Sequence, residues 1–192
     1  NGNIRTFDFC VANPPFSVKK WSTDLGVDRE YGRFTGFGMP PENCADYAFL
    51  LHMLKSMDPV NGRGAIILPH GVLFRGGQEE LIRTNLLKSG LIEGIIGLPS
   101  NLFYGTGIPA CIIILDKKDA TNRKDIFMID ASKYFIKDGN KNRLREEDIK
   151  KITDTYLGRI EEEKYSRVVT MEEIEREEYN LNIPRYINSS EE

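Results

Sequence analysis

The sequence predicts an α/β fold in which short buried strands alternate with helices. Apolar runs too short for helices recur along the chain, and segments with helical periodicity separate the first three of them. The first run is apolar on both faces apart from Asp8, which is typical of an interior strand of a parallel sheet. Such alternation predicts right-handed crossovers. The predicted strands are Phe7–Ala12, Gly64–Pro69, Leu91–Leu98, Ala110–Asp116 and Ile126–Asp130.

Two helices are predicted between the first three strands. Ala45–Met57 is apolar around most of its circumference, so it should be largely buried against one face of the sheet. In the second helix, Gln78–Ser89, Glu79 is spaced to pair with Arg83. Gly90 follows where left-handed backbone is common. The eleven residues between the third and fourth strands show no helical pattern, so we expect that pair to be antiparallel.

Beyond the fifth strand the chain becomes charged and helical. Glu146–Leu157 begins with acidic residues, and Thr170 with Glu173 forms a capping box for a short helix that ends near Glu178. We therefore divide the chain at one boundary. Residues 1–143 form the sheet unit, and residues 144–192 form a helical or extended C-terminal segment.

Composition limits the class of protein. Hydrophobic residues make up 40% and charged residues 29%, which is typical of a globular protein. No apolar stretch approaches the length of a membrane span, and the first residues do not form a signal peptide. We therefore expect a cytoplasmic protein that does not associate with a membrane. The three cysteines, Cys10, Cys44 and Cys111, are expected to be buried reduced thiols, not a disulfide or metal site.

Charge is distributed unevenly. Residues 146–192 carry 14 acidic and 7 basic residues, whereas the preceding 145 residues have a net charge of +4. This basic excess is compatible with DNA but too small for strong sequence-independent binding. If DNA is the substrate, another subunit should provide much of the affinity.

The predicted sheet lacks one expected part. A doubly wound domain that binds a nucleotide-like cofactor needs an early strand followed by a glycine-rich turn. Residues 36–38 and 105–107 have the Gly-x-Gly pattern but lie in loops with no helix start after them. The chain therefore reads as the second half of a larger fold.

The tetrapeptide Asn13-Pro14-Pro15-Phe16 follows the first predicted strand directly. Ligands of open α/β sheets bind at this end of the strands. The Asn13 side-chain oxygen and the Pro14 carbonyl could accept the two hydrogens of an exocyclic amine, and Phe16 could stack on the ring. Such a site orients a weakly nucleophilic amine, and a base in a duplex would have to be flipped out to reach it. Alternatively, the two prolines simply turn the chain.

Several segments resemble a known family. Asn-Pro-Pro-Phe resembles the target-amine motif of amino-group DNA methyltransferases that use S-adenosylmethionine. Longer segments are similar to the modification subunit of type I restriction–modification systems. These segments are residues 45–49 (ADYAF), 68–77 (LPHGVLFRGG), 97–109 (GLPSNLFYGTGIP), 144–148 (LREED) and 179–186 (YNLNIPRY).

The resemblance implies that the chain forms part of the Rossmann-like sheet of S-adenosylmethionine-dependent methyltransferases, namely its late strands. These strands are parallel except for one antiparallel hairpin strand. It implies N6-adenine methylation, with Asn13, Pro14 and Phe16 holding the base. Pro15 would shape the turn between base and cofactor, so that Asn13 and Pro15 also adjoin S-adenosylmethionine. Implied partners are DNA, a specificity subunit and a restriction subunit. Because the glycine-rich motif is missing, we expect this chain alone to be inactive.

Further residues could contact DNA. The aromatic and hydroxyl side chains of Phe103, Tyr104 and Thr106 could line the base pocket or touch the displaced strand, or they could be packing residues. The basic residues that could meet phosphates, with a solvated surface as the alternative for each, are Lys19, Lys20, Arg29, Arg33 and Arg75.

Other polar features have ordinary interpretations. The long loop 17–41 could be a mobile, DNA-facing segment or a plain surface loop. His70 lies near the expected site, but bonding to a loop explains it better than chemistry does. His52 is expected to be solvated.

Two rival functions stay open. A protein-glutamine N5-methyltransferase can use a similar Asn-Pro-Pro-aromatic turn on a side-chain amide. A non-catalytic assembly module would instead dock partners through its acidic helices.

Overall fold

A computed structural model describes residues 3–23 and 31–190. The strands are β1 (Phe9–Ala12), β2 (Arg63–Pro69), β3 (Ile92–Gly97), β4 (Ala110–Asp116), β5 (Asp125–Asp130), β6 (Ile136–Asp138), β7 (Lys141–Arg143) and β8 (Ser166–Thr170). The α-helices are α1 (Asp46–Lys55), α2 (Gln78–Lys88), α3 (Glu146–Gly158) and α4 (Met171–Arg176).

Six strands form one mixed sheet in the order β1-β2-β4-β3-β5-β8. β1 pairs with β2 in parallel, as β3 does with β5. β4 lies between β2 and β3 and is antiparallel to both, which confirms the predicted antiparallel pair. The predicted α/β fold class is confirmed. Because β1, β2 and β3 run in the same direction, their carboxyl ends share one edge of the sheet.

The main core lies between one face of the sheet and helices α1 and α2. Alternate residues of the central strands point to this face, including Ile66 of β2 and Ile113 of β4, and both are buried. Leu50 and Leu51 of α1 are fully buried in the same cluster. A second, smaller cluster on the opposite face joins Phe127 of β5 to α3. The predicted burial of α1 is therefore confirmed.

Within the described residues, β1 is an edge strand and not the interior strand that the sequence predicts. β1 contains only four residues, and within residues 3–23 and 31–190 it pairs on one side only, with β2. Because side chains alternate between faces, Cys10 and Ala12 pack against the main core while Phe9 and Val11 point the other way. Phe9 is 75% and Val11 85% exposed.

The surroundings of α2 are partly as predicted. Gly90 has a φ of +69°, and a Cβ there would lie 1.8 Å from the Ala120 carbonyl oxygen, so glycine is required. The predicted Glu79–Arg83 pair is wrong, because Glu79 binds Arg75 at 2.8 Å instead. The buried Arg83 guanidinium donates to backbone carbonyl groups, including that of Arg75 at 2.9 Å.

The C-terminal part contains more β-structure than predicted. Helices α3 and α4 are confirmed, as is the capping box of Thr170 and Glu173. However, β6 and β7 form a small hairpin, and β8 extends the main sheet by pairing with β5. The Val168-Val169 pair in β8 is a signal that could have indicated this strand. The boundary at residue 143 stays a prediction.

All three cysteines are free thiols. Cys111 is buried as expected, but Cys10 and Cys44 are only partly buried. Burial raises the pKa of Cys44 to about 11, so its thiol stays protonated near neutral pH. Among the helices of the described residues, none has the length and apolar character needed to cross a lipid bilayer.

Candidate functional site

The strand-end turn (Asn13–Phe16) leaves β1 at the carboxyl edge of the sheet. Asn13 is exposed, and no residue in the described part of the chain hydrogen-bonds to its side-chain amide. The residue after the turn, Ser17, has a φ of +52° and donates its backbone N–H to Asp46 Oδ1 at 2.8 Å. One residue further on, the Val18 carbonyl accepts from the Ala45 N–H at 3.0 Å. The start of α1 thus holds the turn in place.

A buried charge network lies behind this turn. Asp46 is fully buried, and its Oδ2 accepts from Arg75 Nη2 at 2.6 Å. Arg75 Nε donates to Glu79 Oε1 at 2.8 Å, and the Cys44 thiol donates to Asp46 Oδ2 at 3.2 Å. Cys44, Asp46 and Glu79 are metal-ligand types that converge, but the Arg75 guanidinium lies among them. The structure thus gives Arg75 an internal role, and contact with DNA stays a prediction for it.

The loop between β3 and β4 forms a second wall facing the turn. The ring of Phe103 meets the ring of Phe16 edge to face, with centroids 5.7 Å apart and an interplanar angle of 75°. Tyr104 is 95% exposed at the rim. Between the walls lies a cleft of about 650 Å³, lined by Asn13, Pro14, Pro15, Phe16, Phe103, Tyr104, Gly105 and Thr106.

This cleft brings together two groups of residues that the sequence analysis singled out separately. The strand-end turn and the trio Phe103, Tyr104 and Thr106 are about ninety positions apart in the chain but share one cavity. Its volume is in the range of ordinary small-molecule sites, roughly 300–1,000 Å³. An open amide and two aromatic rings suit a flat, polar-edged ligand.

The β6–β7 hairpin supports the second wall, which sequence reasoning missed. Lys141 Nζ donates to the Phe103 carbonyl at 2.7 Å and to the Thr106 carbonyl at 3.1 Å. Asn142 Nδ2 donates to the Ser100 carbonyl at 2.7 Å. The only sequence signal for the hairpin was its turn, Gly139-Asn140, because its strands have no apolar alternation.

The basic residues predicted to meet phosphates differ in their surroundings. Lys19 and Lys20 are exposed beside the strand-end turn. Arg33 lies 4.8 Å from the Tyr31 ring centroid, and its Nε donates to His52 Nδ1 at 3.0 Å. Arg29 lies outside the described residues. Only Lys19 and Lys20, among the four described residues of this set, present uncommitted cationic groups to solvent.

Histidine 70 follows β2 at the same sheet edge. Its backbone N–H donates to the Pro109 carbonyl at 3.0 Å, and within the described residues its buried Nε2 has no hydrogen-bond partner. Burial lowers the pKa of His70, opposed in part by the Asp130 carboxylate and the Ala110 backbone. The imidazole is therefore neutral near pH 7, and it does not line the cleft.

The sheet and the cleft define the chain as an α/β protein with a cleft at the carboxyl ends of parallel strands, where open α/β sheets bind ligands. The family model described as N-6 DNA Methylase matches residues 1–192, and the chain belongs to this family.

Curated relatives extend this result. The chain is 40% identical to the type I restriction enzyme MjaVII methylase subunit of Methanocaldococcus jannaschii, over 96% of the chain and 33% of the relative. It is 35% identical to the MpnII methylase subunit of Mycoplasma pneumoniae, over 99% of the chain and 35% of that relative. The chain thus spans about a third of the length of these relatives.

A solved structure agrees with both comparisons. The crystal structure of the type I restriction–modification system methyltransferase subunit from Streptococcus thermophilus superposes with a TM-score of 0.87 and 45% identity. The match covers 95% of the chain and 38% of that subunit. The resemblance to type I modification subunits inferred from the sequence segments is confirmed.

Proposed function

We propose that this chain is part of a type I modification subunit that methylates N6 of adenine in DNA, with S-adenosylmethionine as the methyl donor. The observation that carries the proposal is the cleft between the strand-end turn and the Phe103 loop. Membership in the N-6 DNA methylase family and the names of the relatives support the reaction class.

The cleft residues suit the chemistry of an exocyclic amine. The lone pair of the adenine amine is delocalised into the ring, so the enzyme must orient the amine out of plane and aim it at an electrophile. The Asn13 side-chain oxygen and the Pro14 carbonyl would each accept one N–H, and Phe16 would stack on the base. These are positioning and dipole effects that need no strong base. The adenine would have to leave the duplex to enter the cleft.

The described residues would supply only part of a cofactor site. S-adenosylmethionine would supply an electrophilic methyl group on a sulfonium ion, and Asn13 and Pro15 face the cleft where such a group would approach. In residues 3–23 and 31–190, no Gly-x-Gly turn leads directly from a strand into a helix, where it could hold the rest of the cofactor. The chain spans about a third of the length of its relatives. We infer that the rest of the cofactor site is formed by residues that correspond to the remaining two-thirds.

The exposed edge of β1 also supports the inference that part of the fold lies outside this chain. Its outer side is unpaired within the described residues, and Phe9 and Val11 are largely exposed beside it. An unpaired edge next to apolar side chains is a surface that proteins normally cover. A further strand from the longer protein would pair with β1 and complete the sheet.

The partners follow from the same assignment. We propose that a specificity subunit reads the DNA sequence and that a restriction subunit completes a cytoplasmic complex. The net charge of +4 over the first 145 residues is too small for this chain to grip DNA by itself.

The test is to identify the methylated product. The full-length subunit, assembled with its specificity subunit, is incubated with methyl-labelled S-adenosylmethionine, DNA and total protein substrate. We expect label in DNA that elutes as N6-methyladenine after nuclease digestion. Label in protein glutamine would support the rival methyltransferase, and no transfer by a complex that binds DNA would support the assembly module.

A further inference from the structure

The ammonium group of Lys141 is fully engaged by the loop that carries Phe103. Its three N–H donors meet the Phe103 carbonyl at 2.7 Å, the Thr106 carbonyl at 3.1 Å and Asn101 Oδ1 at 3.1 Å. A lysine ammonium has three donors and no acceptor, so all of its hydrogen-bonding capacity is used. Lys141 forms no ion pair with any described carboxylate.

The same hairpin holds the base of this loop. Asn101 accepts the Asn142 N–H at 2.9 Å through its carbonyl and donates from Nδ2 to the Asn140 carbonyl at 2.8 Å. The Asn142 amide reaches the Ser100 carbonyl. Together with the three bonds from Lys141, six hydrogen bonds join the β6–β7 hairpin to the loop.

The loop has little support of its own. Asn101 and Gly105 have positive φ values of +58° and +79°, and the loop's internal bonds are limited to Asn101 N–H with the Gly107 carbonyl and Ile108 N–H with Thr106 Oγ1. Tyr104 projects into solvent. Leu102 packs against the second core cluster, and Lys141 is the described residue that hydrogen-bonds the Phe103 and Thr106 carbonyls.

We propose that Lys141 is a positioning residue for the target-base cleft. By fixing the Phe103 and Thr106 carbonyls, it sets the distance between the second wall and the strand-end turn. Lys141 does not touch the substrate, and its occupied, partly buried ammonium is not a phosphate contact. This inference rests on the proposed function, because it concerns how that cleft receives a base.

The experiment compares Lys141→Met with Lys141→Arg and with Lys137→Met in the full-length subunit assembled with its specificity subunit. Lys137→Met removes one positive charge from the exposed face of the same hairpin and is the matched control. The readouts are kcat and KM for DNA, fluorescence of 2-aminopurine at the target position, and amide exchange of residues 101–107.

For Lys141→Met we expect kcat to fall about tenfold or more, since small displacements of positioning groups have effects of this size. KM for DNA should stay within about twofold of the wild-type value, because the proposed specificity subunit recognises the DNA sequence. The 2-aminopurine signal should drop, and loop amides should exchange roughly tenfold faster. Lys141→Arg should recover much of each change, and Lys137→Met should match wild type.

Two results would overturn the inference. One is a Lys141→Met protein with wild-type kcat, fluorescence and loop exchange. The other is a parallel loss of kcat, DNA binding and melting temperature that Lys141→Arg does not recover, which would make Lys141 a general fold residue. Failure of the proposed function is distinguishable, because the wild-type complex itself would then methylate no adenine.

Discussion

The Ser17 backbone N–H donates to the Oδ1 of Asp46 at 2.8 Å, which joins the residue after the strand-end turn to the first residue of α1. Ser17 is in the left-handed region, which costs a non-glycine residue about 1 kcal/mol or more. The hydrogen bond to a buried carboxylate offsets this cost. Arg75 neutralises that carboxylate from the other side at 2.6 Å. The geometry of the proposed catalytic turn therefore depends on a charge network that lies outside the cleft.

Replacing Asp46 should destabilise the protein. Asp46→Ala removes the acceptor for Ser17 and leaves Arg75 with one carboxylate, so we expect the free energy of unfolding to fall by about 3 kcal/mol. Asp46→Asn keeps an acceptor oxygen and should cost less. Urea denaturation of the full-length subunit measures both. Asp154→Asn, which breaks an exposed pair with Lys150, is the control and should cost about 0.5 kcal/mol or less. Equal effects of Asp46→Ala and Asp154→Asn would contradict the assigned network.

Replacing Asn13 should separate chemistry from binding. Asn13→Ala removes the acceptor for one adenine N–H, and we expect kcat to fall about a hundredfold or more, as for other preorganised dipoles. DNA affinity of the assembled complex should be retained because Asn13 is exposed and supports no other described residue. Methyl transfer and gel-shift titration measure the two properties. Wild-type turnover by this variant would remove Asn13 from the mechanism.

Lys19 and Lys20 should contribute to DNA affinity through phosphates. Both are exposed next to the turn, so each change to Gln should weaken binding uniformly across sequences and lower the salt dependence by about one counterion. Arg75→Gln should instead lower the melting temperature and leave the salt slope unchanged, because its guanidinium is held by Asp46 and Glu79. Titrations at several salt concentrations distinguish these outcomes. An altered slope for Arg75→Gln alone would reverse the assignment.

Local pattern was sufficient for the elements that are buried on both faces or amphipathic. β4 was predicted with its observed bounds, and β2 and α2 differ from their predicted bounds by one residue at one end. These elements could be predicted because an apolar run or a helix end is determined by residues that are adjacent in the sequence. β6 and β7 were missed because their few polar residues carry no alternation. β1 was predicted as an interior strand but lies at the edge of the described sheet, because an apolar run does not specify which segment covers it.

The site shows the same division. The strand-end turn and the Phe103 loop could be predicted, since each follows a recognisable strand. The Arg75–Asp46 pair spans 29 residues and the Lys141–Phe103 hydrogen bond spans 38. A local sequence pattern cannot predict contacts between residues so far apart in the chain. Arg75 therefore looked like a surface cation, and Lys141 was not recognised at all.

His70 should make stability depend on pH. Burial lowers the pKa of its imidazole below the ordinary value of 6.5, so the unfolded chain takes up this proton first as the pH falls. The contribution is complete above pH 6.5 and is lost progressively as the pH falls from 6.5 towards the folded pKa. The pKa of His52 is lowered as well, by burial and by Arg33, but His52 is more exposed and should contribute less to the pH dependence.

Between pH 7.5 and 5.5 the melting temperature of the full-length subunit should therefore fall by less in His70→Gln than in wild type. The decrease for His52→Gln should lie between these two. Carboxyl groups with lowered pKa values, such as Asp148 and Glu173, lose their contribution only below about pH 4.5 and do not interfere. An unchanged pH slope in His70→Gln would show that the buried Nε2 accommodates the proton without cost.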